Sequence, residues 1–152
     1  LLGRPWGDDF LYDEAMLMGT GPAGAAKASI LVGGLAGFMG LAALGPTRSL
    51  LGRFLPKPGE GPSPAAQEAG FFDIRFHGTT ADGQTIDTKV TGDRDPGYGS
   101  TARMLGESAV CLLERDHDAV GGGFWTPATA LGDQLVERLE ANAGLTFSVL
   151  DD

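Results

Sequence analysis

Between Lys27 and Arg48 the chain carries 20 consecutive uncharged residues, the length an α-helix needs to cross a lipid bilayer. Alanine, leucine, methionine and glycine dominate from Ala23 to about Leu44, which predicts a helix that is apolar all round rather than amphipathic. Such a helix is buried or faces lipid. Glycines at 33, 34, 37, 40 and 45 lower its hydrophobicity and let another backbone pack closely, as small-residue faces do in soluble cores and membranes alike. Three readings stay open: a core or dimer-interface helix, a membrane-surface contact, and a true span. The flanks favour keeping the membrane in view, because no Asp or Glu falls between Glu14 and Glu60 while Lys27, Arg48, Arg53 and Lys57 do. Pro46 is expected to end or kink the helix, and Thr47 to Leu55 to form a short second one with Leu50, Leu51, Phe54 and Leu55 as its apolar side.

A length of 152 residues predicts one domain. With 42% hydrophobic and 20% charged residues and a mean hydropathy near zero, the composition excludes a disordered tail, a fibrous repeat and a polytopic membrane protein. The net charge of −9 argues against nucleic acid as a partner, since phosphate binding needs a basic footprint. Cys111 is the only cysteine, so no internal disulfide can form. The expected location is therefore cytoplasmic, with membrane association through the apolar helix as the variant. The chain starts at Leu1 without a signal segment, and it is expected to be cut from a longer polypeptide.

Residues 56–64, PKPGEGPSP, hold four prolines and two glycines and cannot pack as a helix or strand interior. They mark a connector within the single domain expected over 1–152. Before it, residues 10–18 (FLYDEAMLM) read as a strand. After it, Phe72, Ile74 and Phe76 alternate with polar residues, as do Ile86, Thr88 and Val90. This predicts an antiparallel hairpin with Asp82-Gly83 at positive-φ positions of the turn. The apolar spacing then becomes helical from Ser100 to Arg115. There Ala102, Leu105, Ala109, Leu112 and Leu113 form the expected buried face, and Arg103 and Glu107 an i,i+4 ion pair. Thr126-Pro127 should cap a further helix that buries Leu131, Leu135 and Leu139. Asn142 and Gly144 stop it, and LTFSVL closes the chain as a strand. Strands interleaved with helices predict an α+β fold, with helices packed on a mixed, largely antiparallel sheet.

Several motifs carry little chemistry. Gly19 to Gly24 spell G-x-G-x-x-G, but a dinucleotide site needs an acidic residue about 20 positions on and a second strand, and neither follows. A glycine-rich turn into an apolar helix explains the glycines. Ser108 lies within a helix and lacks the flanking glycines of a nucleophile elbow. His77 and His117 have no ligand-like partner at metal spacing, so no metal site is expected. Asp116-His117-Asp118 reads as a solvated helix end, and Cys111 as a core residue. The segment Asp93 to Thr101 differs in kind. It joins a strand to a helix start, and glycines on both sides of Tyr98 free the backbone amides. It is either a capping loop or a ligand loop in which Arg94 and Tyr98 meet a substrate carboxylate or carbonyl.

LPKPGEGPS at 55–63, the hairpin after it, GDRDPGYGSTARMLGESAVCL at 92–112 and GGFWTPATALGDQLVERLEANAGLTFSV at 122–149 resemble the C-terminal part of the saccharopine dehydrogenase-like oxidoreductases. That family includes the trans-acting enoyl reductases. The resemblance covers roughly residues 40–150, and its combination of PKPGEGPS with DPGYG is far more specific than a lone glycine motif. It implies an upstream Rossmann domain of the same polypeptide that binds NAD or NADP, and no cofactor site within these 152 residues. It also implies a mixed-sheet domain serving substrate and homodimer contacts, and a fragment that cannot transfer hydride alone. No catalytic residue carries over. Arg94, Asp95, Gly97, Tyr98, Gly99, Ser100 and Thr101 are the expected substrate-binding residues. A lipid-like small molecule suits the apolar helix better than saccharopine does. The competing reading is a non-catalytic module that dimerises or lies on a membrane surface.

Overall fold

The computed structural model describes residues 9–57, 59–115 and 121–150. Asp116-His117-Asp118, read from sequence as a solvated helix end, lies outside them. The chain divides into two compact units, Leu2–Glu60 and Gly61–Asp152, and the division falls within the Pro/Gly connector.

In the first unit α1 spans Gly21–Ala43 and α2 spans Gly45–Leu51. The break between them is Leu44, extended at φ −93° and ψ 129°. Pro46 then occupies the first turn of α2, where a missing N–H breaks no helical bond. The Thr47 hydroxyl sits against the Leu41 and Leu44 carbonyls, 3.0 Å from the latter, and satisfies groups that the break leaves open. Gly24 is the only buried residue of α1. The strand expected over 10–18 does not form, and those residues have no regular structure. A strand needs a ladder partner, and none of the described residues of this unit is in a strand.

In the second unit α3 (Pro64–Ala69) precedes β1 (Phe72–Thr79), β2 (Thr85–Gly92), α4 (Gly99–Glu114), α5 (Pro127–Asn142) and β3 (Leu145–Leu150). The fold is α+β. The sheet of the described residues runs β1-β2-β3 and is antiparallel throughout, in keeping with the largely antiparallel sheet expected. In the hairpin turn only Gly83 takes positive φ, at 85°, because the connection is a five-residue loop closed by Thr80 rather than a two-residue turn. Helix α3, capped by Ser63 and started by Pro64, went unread inside the proline-rich stretch.

Strand register sorts the side chains. Phe72, Gly92 and Leu145 align, then Ile74, Val90 and Phe147, then Phe76, Thr88 and Val149. The opposite face carries Asp73 against Arg75 and Lys89, His77 against Asp87 at 2.7 Å, and Thr91 against Thr146. Helices α4 and α5 pack together, and Cys111, Leu135, Leu139, Ala143 and Leu145 form the core, with Phe72, Val90, Met104, Leu131 and Phe147 packed around it. The core covers only part of the apolar face, and Ile74, Phe76, Ile86 and Val149 stay exposed.

Two sequence expectations for α4 are corrected. The leucine face is the outer one, with Leu105 71% and Leu113 79% exposed. The inner face carries Ser100, Met104, Ser108 and Cys111, nearly opposite on the helical wheel, because small residues let α4 approach its neighbours closely. Glu107 pairs across to α5 and not with Arg103: Arg138 Nη2 lies 2.8 Å from Glu107 and Nη1 lies 2.7 Å from Glu114. Asn142 also donates to Glu107, at 3.3 Å. Helix α5 starts on the Thr126 cap as expected, and Gly132 at φ 51° breaks its regularity.

Candidate functional site

The loop between β2 and α4 holds Arg94, Asp95, Gly97 and Tyr98, and the first turn of α4 holds the other three expected residues, Gly99, Ser100 and Thr101. Its amides are already engaged. The Asp95 carboxylate accepts from the Tyr98 N–H at 2.7 Å and the Gly99 N–H at 3.3 Å, and the Ser100 N–H donates to the Asp95 carbonyl at 2.8 Å. Asp95 therefore stands where the sequence reading placed a ligand anion. It complements the positive helix start as a bound carboxylate would. The Tyr98 amide above all, with those of Gly99 and Gly97, holds the Asp95 carboxyl below its ordinary range against a smaller upward push from desolvation.

The rest of the loop is tied to its own backbone. The buried Ser100 hydroxyl donates to the Arg94 carbonyl at 3.2 Å, and Thr101 donates to Pro96 at 2.6 Å. The Asp95 N–H donates to the Gln67 carbonyl at 2.9 Å, which docks the loop on α3. A Cβ at Gly70 would overlap the Asp95 backbone nitrogen and lie 2.8 Å from the Asp95 side chain, so only glycine allows this approach. Gly144, at φ 72°, is pressed against the Asp93 carboxylate in the same way and holds the loop's other end to the start of β3.

Two side chains remain to meet a ligand. Tyr98 is 55% exposed, with its ring lying over Gly61. Arg94 is partly buried, 3.8 Å from Glu68, and its Nε has no partner among the described residues. Gly61, Gln67, Glu68 and Gly70 are supporting residues that the sequence reading missed. Ser63-Pro64, an N-cap followed by a proline at the first helical position, was the signal that could have revealed their helix.

The Gly19–Gly24 segment does not fit a dinucleotide. Among the described residues no strand precedes it, and a Cβ at Gly24 would overlap the Gly19 carbonyl, so the turn is filled by its own backbone. The ribose-binding acid is missing as well.

With this geometry in hand, the relatives are informative. The chain is 42% identical over 153 residues to a Mycobacterium tuberculosis protein provisionally named trans-acting enoyl reductase, covering 97% of this chain and 36% of that protein. A trans-acting enoyl reductase of Mycobacterium ulcerans is 37% identical over 139 residues, covering 88% of this chain and 33% of its own length. One of Mycobacterium bovis matches equally well, at 37% over 138 residues. The chain thus spans about a third of these relatives, which support an enoyl-reductase-like group. The likeness extends beyond the residues 40–150 expected to carry it. No family model and no solved structure matches the chain.

Proposed function

We propose that this chain is the substrate-side part of a nicotinamide-dependent, saccharopine dehydrogenase-like enoyl reductase. Its likeness to trans-acting enoyl reductases over 97% of its length carries the reading. In it, the loop from Arg94 to Thr101 lines the substrate site opposite a dinucleotide held by a Rossmann domain elsewhere in a longer polypeptide, which faces the cytoplasm and can associate with a membrane. Asp95, Gly97, Gly99, Ser100 and Thr101 keep the loop rigid. Tyr98 and Arg94 touch an enoyl substrate, Tyr98 through its exposed ring and hydroxyl and Arg94 through the part of its side chain that stays exposed beside Glu68. The homodimer of this reading uses the outer leucines of α4, which have no partner within the described residues of their own unit.

Titration of NADH and NADPH against this chain and against the longer protein, followed by fluorescence, tests the division of labour. Binding by the longer protein alone is the expected result. Binding by these 152 residues would return the cofactor site to Gly19–Gly24. In the longer protein, Tyr98→Ala should lower turnover about tenfold or more while leaving the melting transition in place. Unchanged kinetics would remove the loop from the site.

A further inference from the structure

Beyond Lys27, helix α1 is apolar nearly all round, and the described residues leave most of its surface exposed. Its 23 residues extend about 34 Å, against about 30 Å for the hydrocarbon core of a bilayer. None of its 18-residue apolar window is buried, and that window has a mean hydropathy of 1.5. Ile30, Leu31, Val32, Leu35, Phe38 and Met39 are all exposed and cover more than half of the helical wheel. The remaining arc is Ser29, Gly33, Ala36, Gly37 and Gly40. A helix that lies on a membrane needs a charged face, and a helix that covers a soluble core needs a polar one. After Lys27, α1 has neither.

Charge at the two ends supplies the direction. Asp8, Asp9, Asp13 and Glu14 precede the helix against one base, Arg4, whereas Arg48, Arg53 and Lys57 follow it with no acid before Glu60. These three bases are exposed, and Leu50, Phe54 and Leu55 are exposed among them. Basic groups interleaved with apolar ones match the boundary between anionic headgroups and acyl chains.

We infer that α1 inserts into the hydrocarbon core of an anionic phospholipid bilayer, with α2 and the residues after it at the headgroups. The inference does not rest on the enzymatic reading, since neither the dinucleotide nor Tyr98 enters it. Flotation of the longer protein, with the 152-residue chain beside it, on phosphatidylcholine vesicles with and without phosphatidylglycerol tests it. The chain is expected to float with both, more tightly with the anionic vesicles, and to stay bound through an alkaline carbonate wash. Leu35→Glu with Phe38→Glu should abolish flotation while the circular dichroism of the α+β unit is kept, because both positions lie outside that unit. Arg48→Gln, Arg53→Gln and Lys57→Gln should each weaken binding to anionic vesicles about fivefold. Failure of the wild-type chain to float, release by carbonate, or flotation of the double glutamate variant would each overturn insertion. So would a dimer in solution that dissociates with the glutamate substitutions and never floats, because a second copy would then cover the helix.

Discussion

Helices α1 and α4 both hold leucines in solvent, yet only α4 has a second face that packs. On α4 the inner side packs, with the small Ser100 and Cys111 fully buried and Met104 set against the core. On α1 only Gly24 is buried. The difference shows that apolarity marks a surface that needs covering without saying what covers it. In α4 one face is satisfied inside the domain and the other remains for a partner. In α1 the whole circumference remains.

Substitutions in the two units should therefore behave differently. Leu139→Ala, in the core, is expected to cost about 3 kcal/mol in urea unfolding, whereas Leu35→Ala on α1 should change it by less than about 0.5 kcal/mol. Equal losses would break the contrast. Gly70→Ala should cost about 2 kcal/mol, because the added methyl overlaps the Asp95 backbone and forces the loop off α3, which the same assay can read. Arg138→Ala should cost about 1–2 kcal/mol by leaving the partly buried Glu107 without its cation, and a double-mutant cycle with Glu107→Gln should recover part of the loss. Leu112→Asp on the outer face of α4 should cost about 1 kcal/mol, since the half-exposed side chain loses only part of its burial and the acid sits unfavourably in the last turn of the helix.

The smallest effect concerns pH. Asp95 is held below its ordinary value of 3.8 when folded, so its contribution is fully present above the unfolded value and is lost as the pH falls through the lower folded one. Thermal melts of wild type and Asp95→Asn should therefore differ near neutrality and converge in acid below that ordinary value. A gap that persists in acid would mean that the Asp95 carboxylate is not what caps α4.

Much of the second unit was legible because its signals are local. Alternation in Phe72-Ile74-Phe76 and in Ile86-Thr88-Val90 marks the hairpin, and Thr126-Pro127 marks the start of α5. The residues of the candidate site were legible as a loop between a strand and a helix. That Asp95 turns back onto the amides of Tyr98 and Gly99 was not, since any anion would satisfy them and only the side-chain conformation selects this one. Residues 10–18 failed as a strand for a related reason: propensity is local, and a ladder partner is not.

Legible from the residues alone were the break near Pro46, the connector PKPGEGPSP, the order from the β1–β2 hairpin through α4 and α5 to β3, and the charge asymmetry around α1, because proline chemistry, periodicity and charge act over a few residues. Tertiary structure alone decided which face of α4 meets the core, that Glu107 reaches Arg138 instead of Arg103, and that Gly70 must be glycine. Each of those depends on which atoms lie within a few ångströms across the chain, and steric fit and ion pairing are settled at that range.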